Sequence, residues 1–204
     1  MSLEAYRKKR NFARTPEPPG EVRRAVRRRR PIFVVQKHAA TRLHYDFRLE
    51  IDGVLTSWAV PKGPSMNPAD KRLAVMTEDH PLEYAEFEGI IPIGQYGAGK
   101  VMVWDKGWYE PASGPPVDRQ LARGKIDVVL HGRKLRGRFT LIRTTTRSSG
   151  RSQTRNWLLV KHRDEYADSS WSIEAPTLNR SVLTGRTLDE IARGAAHEHQ
   201  RVDT

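Results

Sequence analysis

Between positions 43 and 51 apolar and polar residues alternate without interruption. Leu43, Tyr45, Phe47, Leu49 and Ile51 fall on one face of an extended segment, and His44, Asp46, Arg48 and Glu50 on the other. Asp52-Gly53 follows, a strong hairpin-turn signal, and Val54 to Val60 returns as the partner strand. Further β-branched or alternating runs predict strands at Ile32–Val35, Leu73–Thr77, Gly99–Asp105, Lys125–Leu130, Gly137–Arg143 and Trp157–His162. Turn signals at Gly107, Gly114-Pro115-Pro116, Gly132 and Ser148-Ser149-Gly150 separate several of these. Short strands at such spacing, without alternating long helices, predict a mostly β fold: an antiparallel barrel, closed or nearly closed, with a few short helices. Near the C-terminus Thr187 and Glu190 have the spacing of a capping box, with Leu188 and Ile191 supplying an apolar side, so a short helix is expected there.

The pattern fails in the first thirty residues. Leu3, Tyr6 and Phe12 can support a helical turn before Thr15, and Pro16, Pro18, Pro19 and Gly20 then break regularity. The expected organisation is a flexible basic N-terminal arm (1–30), a barrel domain (31–176) and a C-terminal extension carrying the short helix (177–204). The formal net charge is +12, and residues 1–30 hold eleven Lys/Arg against three Glu. Such a concentration attracts a polyanion, nucleic acid foremost, although charge alone suits a solvated tail equally well.

The chain has 204 residues, 37% of them hydrophobic, with five Trp, six Tyr and five Phe. One domain with a real core is expected. It has no cysteine, which excludes disulfides, zinc–thiolate sites and thiol nucleophiles; a metal must sit on His, Asp or Glu. No apolar run reaches transmembrane length and no hydrophobic segment follows the basic N-terminus, so neither a membrane partner nor a secretory signal is expected. A cytoplasmic, nucleoid-associated location fits these features.

The polar face of the 43–51 strand carries the chemistry. Same-face neighbours on a strand lie about 6.5–7 Å apart, so His44 and Asp46 can converge on one ion. His38 can join them if the chain bends inward. Two His and one carboxylate suit Mn²⁺, Fe²⁺ or Zn²⁺ and leave positions open. Arg48 then offers a fork that matches a phosphate. The same residues would also decorate an ordinary solvent-facing strand, and the triad itself is shared with Fe²⁺ oxygenases. In the second cluster, Thr77 to Tyr84, His80 and Tyr84 are able to donate protons, but a surface His and a core Tyr explain them as well. Lys62 and Arg72 add cationic side chains that would otherwise read as surface. The glycines of Ile93-Gly94-Gln95-Tyr96-Gly97-Ala98-Gly99 lack the Lys-Ser/Thr ending of a P-loop and predict a tight turn. No G-x-S-x-G elbow supports a serine hydrolase.

Taken together, Gln36 to Glu50, Trp58-Ala59-Val60-Pro61-Lys62-Gly63-Pro64-Ser65, His80-Pro81-Leu82-Glu83-Tyr84 and Tyr96-Gly97-Ala98-Gly99 resemble the 3′-phosphoesterase domain of bacterial ATP-dependent DNA ligase D. The resemblance runs from about Tyr6 to about Ala167. It implies a β-barrel with Mn²⁺-dependent repair activity, other divalent ions such as Co²⁺ or Zn²⁺ being alternatives. Members remove a 3′-terminal ribonucleotide and then the remaining 3′-phosphate, leaving a 3′-OH for a polymerase or ligase. The chain is too short to include those modules, so a stand-alone form is expected, with a separate ligase or polymerase as partner and DNA or RNA/DNA primer-template ends as substrate. By this resemblance His38, His44 and Asp46 match the metal ligands. Arg48 and His80 match phosphate-binding and catalytic positions, and Tyr84 another essential one. Lys62 and Arg72 match residues that handle the 3′-phosphate. Arg10, Glu17 and Glu78 match positions tied to ribonucleotide removal, and Gln36 a supporting residue. The family usually reads Lys-Arg-Asp-Phe in the arm; this chain has Lys9-Arg10-Asn11-Phe12, an amide in place of a carboxylate, which bears on the ribonucleotide step. Competing readings are a non-catalytic nucleic-acid-binding barrel that recruits a ligase, and an Fe²⁺ barrel oxygenase.

If the basic run grips backbone phosphates, deleting Arg23 to Arg30 will weaken DNA binding and flatten its dependence on salt, each lost phosphate contact reducing the log–log slope by about 0.9. Fluorescence titrations over a salt series would measure this. An unchanged affinity and slope would make the run a bystander.

Overall fold

In the computed structural model, which describes residues 2–20, 30–144 and 155–194, the alternating segment forms strand β2 (Leu43–Ile51). It lies between β1 (Ile32–Ala39) and β3 (Val54–Val60). Asp52 and Gly53 both take positive φ, 50° and 79°, the backbone that a two-residue hairpin needs to match strand twist. The chain continues through β4 (Lys71–Met76), a 3₁₀ turn (Leu82–Glu86), β5 (Gly89–Ile91) and the long β6 (Gly99–Pro111). Helix α2 (Val117–Arg123) leads into β7 (Lys125–Gly132), β8 (Arg136–Arg143) and β9 (Asn156–Lys161).

The sheet order is β1-β2-β3-β4-β9-β8-β7-β6, and β1 pairs again with β6. Eight antiparallel strands therefore close into a barrel, which removes the unpaired edges of an open sheet. The short β5 adds to β6 at Gly99–Val101. The β1–β6 register slips between Val35 and Gln36, a bulge of the kind that re-aims side chains.

Closure creates two apolar regions. The larger draws Phe33, Val35, Phe47, Leu49, Trp58, Trp104, Ile126, Phe139, Trp157 and Leu159 from strands all around the barrel and fills its interior. The smaller gathers Tyr6, Val34, Leu55, Tyr84, Phe87, Val101 and Val103 on the outer face of β1, β3 and β6. The polar face of β2 is directed to that outer side, yet it is not solvated: Arg48 is 2% exposed.

The described part of the N-terminal segment is what covers it. Residues 2–20 pack on the barrel through α1 (Glu4–Lys8), with Leu3, Tyr6 and Glu17 buried. Tyr6 donates to the Pro18 carbonyl at 2.6 Å, and its ring lies 5.1 Å from His80 and 6.1 Å from Tyr84. The sequence places Tyr6 in a helical turn, and the structure adds that the turn docks on the barrel. The basic run at 23–29 and the Ser148-Ser149-Gly150 signal lie outside the described residues.

Two other expectations change. Gly107 is not a turn: β6 runs through it, because a Cβ there would stand 2.1 Å from the His131 carbonyl oxygen of β7. Glycine serves close strand approach. Helix α2, unforeseen, buries Val117 and Leu121 and ends at Gly124 in the left-handed region. The C-terminal helix is present at 188–194. Its capping box forms as the sequence predicts, with Glu190 N–H donating to Thr187 Oγ1 at 3.3 Å and Thr187 N–H to Glu190 Oε2 at 2.8 Å.

Tyr6→Ala removes an aromatic side chain whose burial is of the kind worth about 3–5 kcal/mol in a core. The loss falls on docking of residues 2–20 rather than on the barrel. Limited proteolysis should cut that segment much faster in the variant while the barrel fragment survives. Identical digestion patterns would show that Tyr6 does not hold it.

Candidate metal centre and phosphate cleft

The β1–β2 hairpin assembles a metal-type cluster by register alone. His38 stands directly opposite His44, and Gln36 opposite Asp46. The ligand atoms of His38, His44 and Asp46 lie within 4.8 Å of one another. His38 Nδ1 is 3.5 Å from Asp46 Oδ2, and His44 Nε2 is 3.7 Å from Asp46 Oδ1.

The other ring nitrogens settle the tautomers. His38 Nε2 lies 2.8 Å from the Gly97 carbonyl, and His44 Nδ1 2.9 Å from the Arg42 carbonyl. A carbonyl only accepts, so each of these nitrogens carries a hydrogen and donates it. That leaves His38 Nδ1 and His44 Nε2 as the ring nitrogens that face Asp46. A metal-ligating histidine is oriented in this way. Burial opposes ionisation of Asp46, but the Arg48 cation and the two histidines outweigh it and hold the carboxyl well below the usual carboxylate range.

Arg48 is the second component. Its Nε donates to Gln36 Oε1 at 2.8 Å, Nη1 to Ser57 Oγ at 2.8 Å and Nη2 to Asp46 Oδ2 at 3.1 Å. Gln36 is fixed in turn by donating to the Tyr84 and Phe87 carbonyls at 2.9 and 3.0 Å. Ser57 reaches Arg48 because it is its register partner across β2 and β3; counting back equally from the Asp52-Gly53 turn finds it in the sequence.

His80 closes the far side. Its Nδ1 lies 2.9 Å from Arg48 Nη1 and 2.9 Å from the Glu78 carbonyl, and its Nε2 3.3 Å from Arg10 Nη2. Burial, followed by the Arg48 and Arg10 cations, pushes its imidazole well below the ordinary histidine range. His80 is therefore neutral at pH 7. Tyr84 is driven the other way, well above a normal phenol, by burial and then by Glu17. Its hydroxyl donates to Glu17 Oε1 at 3.1 Å.

The N-terminal segment supplies Arg10, held between two carboxylates. Nε donates to Glu17 Oε1 at 2.8 Å and Nη1 to Glu78 Oε1 at 3.3 Å, and the guanidinium stacks on Tyr6 at 3.9 Å. The result is a cleft of about 260 Å³ whose walls include His38, His44, Asp46, Arg48, His80, Tyr84, Arg10 and Glu78.

Not every residue singled out by the sequence reaches this cleft. Gln36 and Glu17 stand behind it as braces. Lys62 is exposed past the end of β3, and Arg72 on β4 pairs with Asp70 at 2.8 Å; neither lines the cleft. Asn11 is exposed, with Oδ1 accepting the Ala13 N–H at 3.1 Å. Tyr96 and Thr77 line the cleft without having been assigned to it, and Lys9 meets both Glu78 and Tyr96. Only the tertiary placement of their loops brings them there.

A closed β-barrel thus carries, on its outer face, a His-His-carboxylate cluster with the donor set of a metal site beside a guanidinium of the kind that matches an anionic group. The chain belongs to the DNA Ligase D 3′-phosphoesterase domain family, whose profile matches residues 36–143. It is 53% identical over 195 residues to the multifunctional non-homologous end joining protein LigD of Pseudomonas aeruginosa, an alignment that covers 91% of this chain and 22% of that protein. It is 50% identical over 148 residues to the multifunctional non-homologous end joining DNA repair protein LigD of Mycobacterium tuberculosis, covering 70% and 18% respectively. The Mycolicibacterium smegmatis LigD is 45% identical over 169 residues, covering 80% and 21%. The chain thus spans about a fifth of the length of these curated relatives.

Mn²⁺ titrated into the protein should bind at one site, and Asp46→Asn should weaken it by more than about 100-fold, exceeding the usual cost of losing an outer-shell partner. Calorimetry measures the affinity, and anomalous diffraction locates the ion. An ion bound elsewhere, or an Asp46→Asn variant of unchanged affinity, would remove the cluster from consideration.

Proposed function

We propose that the chain is a Mn²⁺-dependent phosphoesterase that heals 3′ ends in strand-break repair, releasing 3′-phosphate, and 3′-ribonucleotides to a lesser extent, to leave a 3′-OH. The observation that carries this reading is the contact between Arg48 and Asp46. It sets a phosphate-matching guanidinium directly against the metal-type cluster, so one phosphate is able to meet both. Family membership supports the same chemistry.

His38 Nδ1, His44 Nε2 and Asp46 fit a divalent transition metal, since their donor atoms converge and both imidazole tautomers are set for ligation. Held there, such an ion supplies Lewis-acid neutralisation of phosphoryl oxygens. The protein's own groups supply the rest. Arg48 is fixed on three sides by Gln36, Ser57 and Asp46, so its remaining donor capacity is aimed before substrate arrives. Preorganised donors of this kind cost no reorientation at the moment of reaction. His80, kept neutral, would steady Arg48 and Arg10 around the charge that develops on the leaving oxygen, since protonating that oxygen would need an imidazolium. Tyr84 and Glu17 position Arg10, which faces the cleft from the N-terminal segment. The basic run would hold the strand by its backbone without reading sequence. A ligase or polymerase would take the 3′-OH product, in the cytoplasm at the nucleoid.

The decisive experiment is phosphate release from a 3′-phosphorylated primer-template over a series of divalent metals. Release in none of them, or release indifferent to Asp46→Asn, would overturn the reading. A non-catalytic barrel predicts binding alone, and an oxygenase predicts dependence on Fe²⁺ and an organic co-substrate. Wild-type protein should act faster on a 3′-phosphate than on a 3′-ribonucleotide end, because Asn11 lacks the carboxylate its family places there. Asn11→Asp preserves the acceptor for the Ala13 N–H and adds charge, so it should raise ribonucleotide removal selectively. Equal wild-type rates without a selective gain in the variant would detach Asn11 from that step.

A further inference from the structure

The turn between β5 and β6 presents side chains that neither the metal cluster nor the Arg48 network uses. Tyr96 borders the cleft, yet the residue remains 49% exposed. Ile93, on the same turn, is 99% exposed. A lone exposed apolar residue needs no explanation, but here two share one turn, and one of them borders a charged cleft. The turn is also held in place. Gln95 N–H donates to the Pro92 carbonyl and Ala98 N–H to the Gln95 carbonyl, both at 3.1 Å. Gly94 and Gly97 take φ of 86° and 77°, which residues with a side chain rarely adopt.

The residue after Tyr96 is Gly97, whose carbonyl accepts the His38 Nε2–H at 2.8 Å. The ring is therefore tied through one residue to a side chain of the metal cluster. From the N-terminal segment, Lys9 Nζ donates to the Tyr96 hydroxyl at 3.2 Å and lies 4.4 Å from the ring centroid. The Arg10 guanidinium stands 5.5 Å from the same centroid. An aromatic ring is thus displayed beside two cations at the mouth of the cleft.

We propose that Tyr96 is a stacking platform for the nucleobase of the substrate's 3′-terminal nucleotide, a role that rests on the phosphoesterase reading above. A terminal phosphate lodged between Arg48 and the metal cluster leaves its nucleoside to exit across the rim. There the ring meets the base, and Lys9 and Arg10 meet the anionic backbone. Every base has a π-face, so the platform accepts any terminal base and contributes affinity without sequence preference.

The test compares two duplexes that differ only at the 3′-phosphorylated terminal nucleotide, one bearing thymine and the other an abasic tetrahydrofuran. Full-length wild-type protein should favour the base-bearing end in kcat/KM by about tenfold or more, the range for one aromatic–base stack, chiefly through KM. Tyr96→Ala should bring that ratio close to one, and Tyr96→Phe should keep it. If Tyr96→Ala proves unstable, Tyr96→Leu is read in the same way. Wild-type protein indifferent to the base, or a non-aromatic variant that keeps the wild-type ratio, would overturn the proposal while leaving the phosphoesterase reading intact. A binding measurement separates the two readings if no phosphate is released. Fluorescence of 2-aminopurine at the 3′-phosphorylated terminus should be quenched by wild-type and Tyr96→Phe protein and restored in Tyr96→Ala. Equal quenching by all three would again overturn it.

Discussion

Arg48 carries a permanent charge into a place that water barely reaches. An unpaired cation there would cost several kcal/mol, so the surroundings must supply acceptors. Gln36, Ser57 and Asp46 do so, one on each neighbouring strand and one on β2 itself. Each acceptor imposes a further demand. Gln36 must be anchored by the carbonyls around the 3₁₀ turn, and that turn carries Tyr84 and follows His80. Asp46 must stay ionised, which Arg48 helps to secure, and so remains available as a metal ligand. Satisfying one guanidinium therefore fixes the hairpin register, the loop that bears His80 and the charge state of the cluster.

The N-terminal segment repeats this logic on the opposite wall. Arg10 enters between Glu17 and Glu78 and is covered by Tyr6, so its charge is offset before any anion arrives. Burial, and then the two guanidinium groups, keep His80 neutral. A neutral imidazole between them leaves the positive charge of this wall on Arg48 and Arg10. The segment that completes the cleft is docked by tertiary contacts alone, through Leu3, Tyr6 and Glu17.

The barrel contributes rigidity rather than chemistry. Its interior is filled by aromatic and branched residues, and the metal-type cluster, Arg48, His80, Tyr84 and Arg10 stand on the outer face of β1 and β2, on the His80–Tyr84 segment and on the N-terminal segment. Closure matters because β1 is paired on both sides, to β2 and to β6. His38 on β1 is thereby locked opposite His44 and beside the loop whose Gly97 carbonyl sets its tautomer. On a free edge strand the same histidine would lack one of these constraints.

Local pattern alone determined a good deal. The alternation from Leu43 to Ile51 and the Asp52-Gly53 turn were enough to place β2 and β3, their register and the shared face of His44, Asp46 and Arg48, because side-chain period and turn type are short-range properties. The Thr187–Glu190 capping box was equally legible, since its partners are three residues apart. What alternation cannot say is whether a polar face meets solvent. That was decided when residues 2–20 and the loops around His80 and Tyr96 folded over it, through contacts spanning 67 to 87 positions, such as Tyr84 with Glu17 and Lys9 with Tyr96. Gly107 was misread for the same reason, as its lack of a Cβ answers to the His131 carbonyl on another strand. Tyr96 looked like part of a plain turn because glycines flank it at 94 and 97, while its neighbours in space are Lys9 and Arg10, with His38 reached through the Gly97 carbonyl. Burial, ionisation state and the assembly of a cleft depend on what packs against a segment, and only the closed barrel with its docked N-terminal segment supplies that.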